Sequence, residues 1–353
     1  MKLFRCQACG NLIHFENRVC GRCGHRLGYL PELQALSALE PAGDPKWTPL
    51  AAKGAQRRFC ANAEQDACNW LTPLKSDNPF CLACRHNETI PNLSAPQNLQ
   101  AWRDIELAKH RLFYSLLRWR LPLTTRAEDP EHGLVFKFLA DPPAAGPKVM
   151  TGHDNGVITI ALSEADSAER ERRRSEMGEP YRTLLGHFRH EVGHYFWDVL
   201  VRDGGRLEAC RALFGDERED YGKALERHYA EGPQPDWSER FVSAYATAHP
   251  WEDFAETWAH YLHIIDTLDT AAAFGLTVAP AIDSDGEHWA KVDFDPYAQG
   301  SMADIMDRWT PVVVAMNSIN RSMGRPDLYP FALAPAVVEK LGFVNDLVRS
   351  AAA

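Results

Sequence analysis

The sequence predicts an α+β chain, mainly helical with a small sheet, standing behind two four-cysteine modules. Three observations carry that reading. Eight of the nine cysteines fall within the first 84 residues, in two sets of four. From about residue 98 onward, apolar residues recur at helical spacing in several long stretches, with two short β-rich runs among them. One of those helical stretches contains His190-Glu191-Val192-Gly193-His194.

The cysteines come first along the chain. Cys6-x2-Cys9 and Cys20-x2-Cys23 are separated by ten residues, the paired-knuckle spacing of a four-cysteine zinc ribbon. Gly10, Gly21 and Gly24 stand where such knuckles turn tightly. Cys60, Cys68, Cys81 and Cys84 form a second set, with one regular C-x2-C pair and one looser seven-residue gap. Eight cysteines in a secreted chain would read as a disulfide framework. Here Met1-Lys2-Leu3-Phe4-Arg5 runs into Cys6 with no long apolar stretch and no small-residue cleavage site, so the expectation is structural zinc in a cytoplasmic protein. Cys210 reads as a small buried hydrophobe.

The modules divide as 1–30 for the first ribbon, 51–91 for the second cysteine module and 96–349 for the main domain. Residues 31–50, with Pro31, Pro41, Gly43, Pro45 and Pro49, read as a linker, and Pro91 to Pro96 as a second boundary. In the main domain, 98–119 is an amphipathic helix, and Leu134–Leu139 and Gly156–Leu162 are strands. Helices follow at 181–202, 218–230, 236–247, 251–269, 301–322 and 334–349, with a break or kink at Pro311.

Composition narrows the function classes. With 45% hydrophobic residues the chain has material for a sizeable core, yet no apolar run reaches the roughly 18 residues of a membrane span. A net charge of -10 argues against a general nucleic-acid binder. Two local basic clusters stand out: Lys53, Arg57 and Arg58, and then Arg170, Arg172, Arg173 and Arg174. The second is diluted by Glu169, Glu171 and Glu176 and reads as a solvated face; neither has the interleaved aromatics of a base-stacking platform.

His190-Glu191-Val192-Gly193-His194 is an H-E-x-x-H motif within an apolar-periodic stretch. Residues four apart share a helix face, so His190 and His194 can reach one metal ion while Glu191, about 100° round, lies beside the ligand water. That pattern is a zinc site with its own base. A third ligand has to come from elsewhere. The metzincin extension is ruled out by Trp197 and Leu200, and Asp198, on the same straight helix, cannot help enclose a tetrahedral ion. The segment from His249 to His260 is the better donor, with Pro250 opening a helix that carries Glu252, Glu256 and His260 on one face. One turn rises about 5.4 Å, so Glu252 and Glu256 cannot share the ion comfortably. Glu252 is assigned to the metal and Glu256 to the free nitrogen of a ligand histidine, with the adjacent Asp253 a rival ligand.

On these residues the chain resembles the gluzincin metallopeptidases, and Glu252-Asp253-Phe254-Ala255-Glu256 is similar to the E-x-F-A-E segments of aminopeptidase-N-like and lethal-factor-like enzymes. It departs from the former in having Trp251 where they carry an asparagine. With its cysteine modules, the whole chain most resembles the bacterial zinc-binding metallopeptidase family with an N-terminal zinc ribbon. That resemblance implies a zincin-like fold, with Gly156–Leu162 as the edge strand along which an extended peptide pairs. It also implies a tyrosine facing the reacting carbonyl, a place Tyr245 fills here, with Tyr195 and Tyr261 as substitutes. The expected activity is zinc-dependent hydrolysis of peptide bonds, with one catalytic and two structural zinc ions, a peptide or protein substrate, and a protein partner through the ribbons. The competing expectation is a non-catalytic adaptor whose metal site is closed by Asp253, Glu256 or His260. A nucleic-acid role for the ribbons is the weakest.

Overall fold

The computed structural model describes all residues except 53, 143–145, 147, 178, 284, 299 and 352–353. Lys53 of the first basic cluster and the last two residues of the alanine tail therefore lie outside the described residues, as does the side chain of Glu176. The chain forms two compact units: residues 1–118 with 122–173, and residues 119–121 with 174–353.

The first unit begins with the hairpin β1 (Phe4–Arg5) and β2 (Leu12–Ile13), whose loop carries the first cysteine pair. An antiparallel five-stranded sheet follows, formed in order by β3 (Leu27–Leu30), β4 (Ala35–Pro41), β5 (Trp47–Pro49), β6 (Arg57–Phe59) and β7 (Leu71–Pro73). Residues 31–50 are thus two strands, not the linker expected from their prolines. Leu36, Ala38 and Leu39 are buried, while Pro41 and Pro49 end strands and Gly43 and Pro45 lie between β4 and β5. Proline punctuates this sheet at the positions where a missing N–H costs least.

A second sheet has the order β10-β11-β9-β8, with β8 (Asn87–Thr89), β9 (Val135–Leu139), β10 (Gly152–Asp154) and β11 (Val157–Ala161). β11 is parallel to β9 on one side and antiparallel to β10 on the other, so it is an interior strand and offers no free edge for a peptide. The expectation of an edge strand at 156–162 fails because Asn155 and Gly156 both take positive φ and fold Gly152–Asp154 back along it. Asn-Gly is the preferred pair for such a two-residue hairpin turn.

Helix α1 (Pro96–Arg118) packs within the same unit and carries a fully buried ion pair, Lys109 Nζ to Glu106 Oε1 at 2.9 Å. Asn87 Nδ2 donates to the same carboxylate oxygen at 2.7 Å, so both charges are held in a hydrogen-bonded setting. Helix α2 (Ser167–Met177) holds the second basic cluster, in which Arg172 and Arg173 pair with Glu169, and Arg173 also with Glu164.

The second unit contains α3 (Leu184–Phe196), α4 (Leu207–Phe214), α5 (Tyr221–Glu231), α6 (Pro250–Ala273), the short pair β12 (Thr277–Val278) and β13 (Ala290–Lys291), α7 (Met302–Ser322) and α8 (Pro335–Ala351). Thr183 caps α3 by accepting from Gly186 N at 3.0 Å, and the helix runs on as a π-helical turn over Trp197–Arg202. Of the break or kink expected at Pro311, the break does not occur: α7 continues through it. The helix expected over 236–247 is replaced by two short 3₁₀ turns, Trp237–Glu239 and Tyr245–Thr247. Within that segment Ser243 Oγ accepts from Ala246 N and donates to Glu256, local bonding that competes with a regular helix.

The central contact is α3 against α6. Phe188, Val192, Phe196, Phe254, Ala255 and Trp258 are all buried there, and the rings of Phe196 and Trp258 stack at 4.9 Å. Each phenylalanine or valine among them contributes roughly 1.5–3 kcal/mol by leaving water. Gly193 sets the approach: a Cβ on it would lie 3.0 Å from Ala255 Cα and 3.2 Å from Trp258 Cβ.

Two outcomes follow for stability in urea. Gly193→Val is expected to cost about 1–3 kcal/mol by overpacking the crossing, and an unchanged unfolding midpoint would contradict the close approach. Lys109→Met is expected to cost about 3–5 kcal/mol by leaving Glu106 buried and uncompensated, with Lys109→Met/Glu106→Leu recovering much of it. Equal stability of wild type and the single variant would show that the pair is not desolvated.

Candidate metal centres

Three groups of donors match the sequence-expected sites. Cys6, Cys9, Cys20 and Cys23 have all four sulfurs within 4.8 Å of one another, as do Cys60, Cys68, Cys81 and Cys84, and every cysteine is a free thiol. The sulfurs are 3.6 Å apart in Cys6–Cys23 and Cys9–Cys20, and 3.8 Å apart in Cys68–Cys81. A zinc ion with bonds of ~2.3 Å to sulfur requires tetrahedral edges of ~3.8 Å, which these separations approach in both sets. Backbone amides already point at sulfur: Trp70 N to Cys68 Sγ and Cys81 N to Cys60 Sγ, each at 3.3 Å. Gly10 and Gly24 adopt the positive φ expected of knuckle residues; Gly21 does not.

The two sets differ in their surroundings. Cys23 is exposed and Cys9 half-buried in the first, whereas all four cysteines of the second are buried. Helix α1 adds two further donors to the second set: His110 Nε2 lies 3.3 Å from Cys68 Sγ and 3.6 Å from Cys84 Sγ, and Glu106 Oε2 lies 3.5 Å from Cys84 Sγ. The spacing of cysteines alone gave no hint of these, because they come from a helix that follows the module.

The third group is built on the α3–α6 crossing. His190 and His194, one turn apart on α3, face Glu252 in the first turn of α6. Glu252 Oε2 is 3.0 Å from His190 Nε2 and 3.5 Å from His194 Nε2, yet it accepts no well-directed hydrogen bond. Zinc with bonds of ~2.0–2.1 Å to nitrogen and oxygen requires donor separations of ~3.4 Å in a tetrahedron. A buried carboxylate oxygen aimed between two imidazole nitrogens with no hydrogen bond is the arrangement of a ligand set. Burial opposes ionisation of Glu252, but His194 and His190 outweigh it and hold its carboxyl well below the usual range.

Around these donors lies a second tier of contacts. Glu256 Oε1 faces His190 Nδ1 at 2.7 Å, and Ser243 Oγ donates to Glu256 Oε2 at 2.7 Å. Glu256 is half-buried, and desolvation would raise its pKa; the hydrogen bond from His190 overcomes this and holds it at about 2. Such a carboxylate fixes the ring orientation of a ligand histidine. The Trp251 ring lies against His194 with centroids 3.8 Å apart, and the Tyr245 ring lies 6.0 Å from that of His190. Tyr221 OH donates to Glu252 Oε1 at 2.6 Å.

Glu191 is buried beside the donors without belonging to them. Burial raises its pKa above the ordinary carboxylate value, against the pull of His190 and His194. The rival ligands are engaged elsewhere. Asp253 Oδ2 accepts from Lys340 Nζ at 2.6 Å, and burial still lifts its carboxyl to about 7. His260 Nδ1 pairs with Tyr329 OH at 2.6 Å, and Asp198 Oδ1 accepts from Arg202. Of the two substitutes for Tyr245, Tyr261 is buried with its hydroxyl on Asn345, and Tyr195 is buried against Phe196. Sequence reasoning missed Tyr221 and Ser243, which lie outside any motif and reach the site only through folding.

Comparison with known proteins adds the family. A model described as "Putative zinc-binding metallo-peptidase" matches residues 98–347, and one described as a zinc-ribbon domain matches residues 3–95. Two mycobacterial relatives, the uncharacterized proteins Mb2598c of Mycobacterium bovis and Rv2568c of Mycobacterium tuberculosis, are each 42% identical over 355 residues, spanning 100% of this chain and 96% of theirs. No solved structure matches. Among the described residues, no helix is long and apolar enough to cross a membrane. A zinc-ribbon match over the cysteine region, followed by a match that spans the H-E-x-x-H helix and the glutamate helix, gives one conclusion: the chain belongs to the zinc-binding metallo-peptidase family.

Proposed function

We propose that this chain is a zinc-dependent peptidase of the gluzincin type, with a zincin-like catalytic core behind two structural zinc modules. The observation that carries the reading is the convergence of His190 Nε2, His194 Nε2 and Glu252 Oε2, with Glu191 buried alongside and outside the ligand set. Three ligands leave a tetrahedral ion one position for water, and the residues best placed to close it, Asp253, Glu256 and His260, are held by Lys340, His190 with Ser243, and Tyr329. That distribution favours catalysis over a closed, adaptor-like site.

Zinc, when bound, supplies Lewis acidity that acidifies water and polarises a scissile carbonyl. Glu191 takes the proton of the attacking water at a carboxylate oxygen and passes it to the departing amine. Its raised pKa suits both halves of that task, since a group that ionises nearer neutrality can both accept and return a proton. Glu256 holds the His190 ring in place, and Tyr245, whose phenol burial keeps protonated, donates to the oxyanion as it develops. The substrate is a peptide or protein segment, and the ribbons serve as the surface for a protein partner.

Glu191→Gln is expected to retain metal at the third site and to lose about 10²–10⁴-fold in turnover of a peptide-library substrate. Turnover within a few-fold of wild type would remove Glu191 as the base.

A further inference from the structure

The two oxygens of Glu252 do different things. Oε2 faces the imidazole nitrogens of His190 and His194, whereas Oε1 accepts a hydrogen bond of 2.6 Å from the hydroxyl of Tyr221. That distance is in the range of a charge-assisted O–H···O⁻ bond, among the stronger hydrogen bonds a side chain makes.

Tyr221 is placed there by a specific clamp. It is the first residue of α5, and the Asp220 side chain caps that helix by accepting from Lys223 N at 3.1 Å. His249, the residue before α6, is buried and bonds at both ring nitrogens: Nδ1 accepts from Trp251 N at 3.1 Å, and Nε2 donates to Glu219 O at 3.1 Å. One imidazole thus ties the start of α6, which carries Glu252, to the chain leading into α5. The Tyr221 ring stands edge-on to His249 and Trp251, with centroids 5.2 and 5.9 Å away, and the Trp251 ring in turn lies on His194. Although Tyr221 is 39% exposed, these two ring contacts and the hydrogen bond to Glu252 direct its hydroxyl.

We propose that Tyr221 is a positioning residue that keeps Glu252 a one-oxygen ligand of the third metal. A carboxylate can offer an ion one oxygen or two; a hydroxyl committed to Oε1 reserves that oxygen and leaves the ion four-coordinate, with a single position for water. The inference rests on the zinc site proposed above and adds a determinant that no motif spacing identifies. Without the hydroxyl, Oε1 is free to join the ion, and the coordination number rises.

The test uses full-length protein with zinc in the cysteine modules and cobalt(II) loaded at the third site, read by visible d–d absorption. Four-coordinate cobalt absorbs several-fold more strongly than five- or six-coordinate cobalt. His190→Ala serves as the blank, so that any cobalt in the cysteine modules is subtracted. Tyr221→Phe, which keeps the ring and removes only the hydroxyl, is expected to bind the third cobalt with d–d absorption reduced several-fold. His249→Ala, which loosens the clamp but retains the phenol, is expected to show a smaller reduction, and it stands in should Tyr221→Phe fail to fold. A Tyr221→Phe spectrum superimposable on wild type overturns the inference, as does an unchanged His249→Ala spectrum when that variant stands in. Wild type that takes up no more cobalt than His190→Ala overturns instead the metal site on which the inference rests.

Discussion

The close crossing of α3 and α6 is the constraint on which the rest of the second unit depends. Gly193 sits between the two histidines of its own helix and directly over Ala255 of the other, so the backbones meet where the candidate donors project. On α3 His190 and His194 stand one turn apart; on α6 Glu252 and Glu256 do the same. Bringing the helices to this distance therefore sets four side chains against one another at once. His190 ends with Glu252 on one ring nitrogen and Glu256 on the other. A bulkier residue at 193 would lever the whole donor set apart, even though it bears no ligand.

Burying that many acids has a cost, which the structure meets by giving nearly every carboxylate a designated partner. Isolated charges in a low-dielectric interior are strongly disfavoured, so paired and hydrogen-bonded ones are what survive. Asp253 has Lys340, Glu256 has His190 and Ser243, and Asp266 has Arg189 and Tyr297. Glu252 has one oxygen on Tyr221 and the other left without a well-directed hydrogen bond beside two histidines. Asp253 likewise leaves Oδ1 without a hydrogen bond, so what sets Glu252 apart is that its open oxygen faces two imidazole nitrogens. The same logic governs the first unit, where the Glu106–Lys109 pair is fully buried against the second cysteine set.

Much of the chemistry was legible because it is written in fixed spacings. Three C-x2-C pairs, H-E-x-x-H, and acids one turn apart behind Pro250 each encode a local geometry that survives folding unchanged. Helix positions were legible for the same reason, since α1, α5, α6, α7 and α8 follow the apolar period closely. What was not legible depends on contacts between distant segments. Prolines in 31–50 suggested a linker, but burial of Leu36, Ala38 and Leu39 makes that stretch part of a sheet. The Asn155-Gly156 turn moved the sheet edge from β11 to β10. Ser243 and Tyr221, 13 and 31 residues from the glutamates they bond, carry no signal at all until the helices pack.

The central claim is that His190, His194 and Glu252 hold a metal ion in addition to the two held by cysteine. Zinc stoichiometry by elemental analysis tests it most directly, on wild type, His190→Ala and Glu252→Ala, each equilibrated with zinc and then freed of excess. Three zinc ions in wild type falling to two in both variants is the predicted result. Two in all three proteins would contradict it, leaving the cysteine modules as the metal sites and the α3–α6 crossing as packing alone.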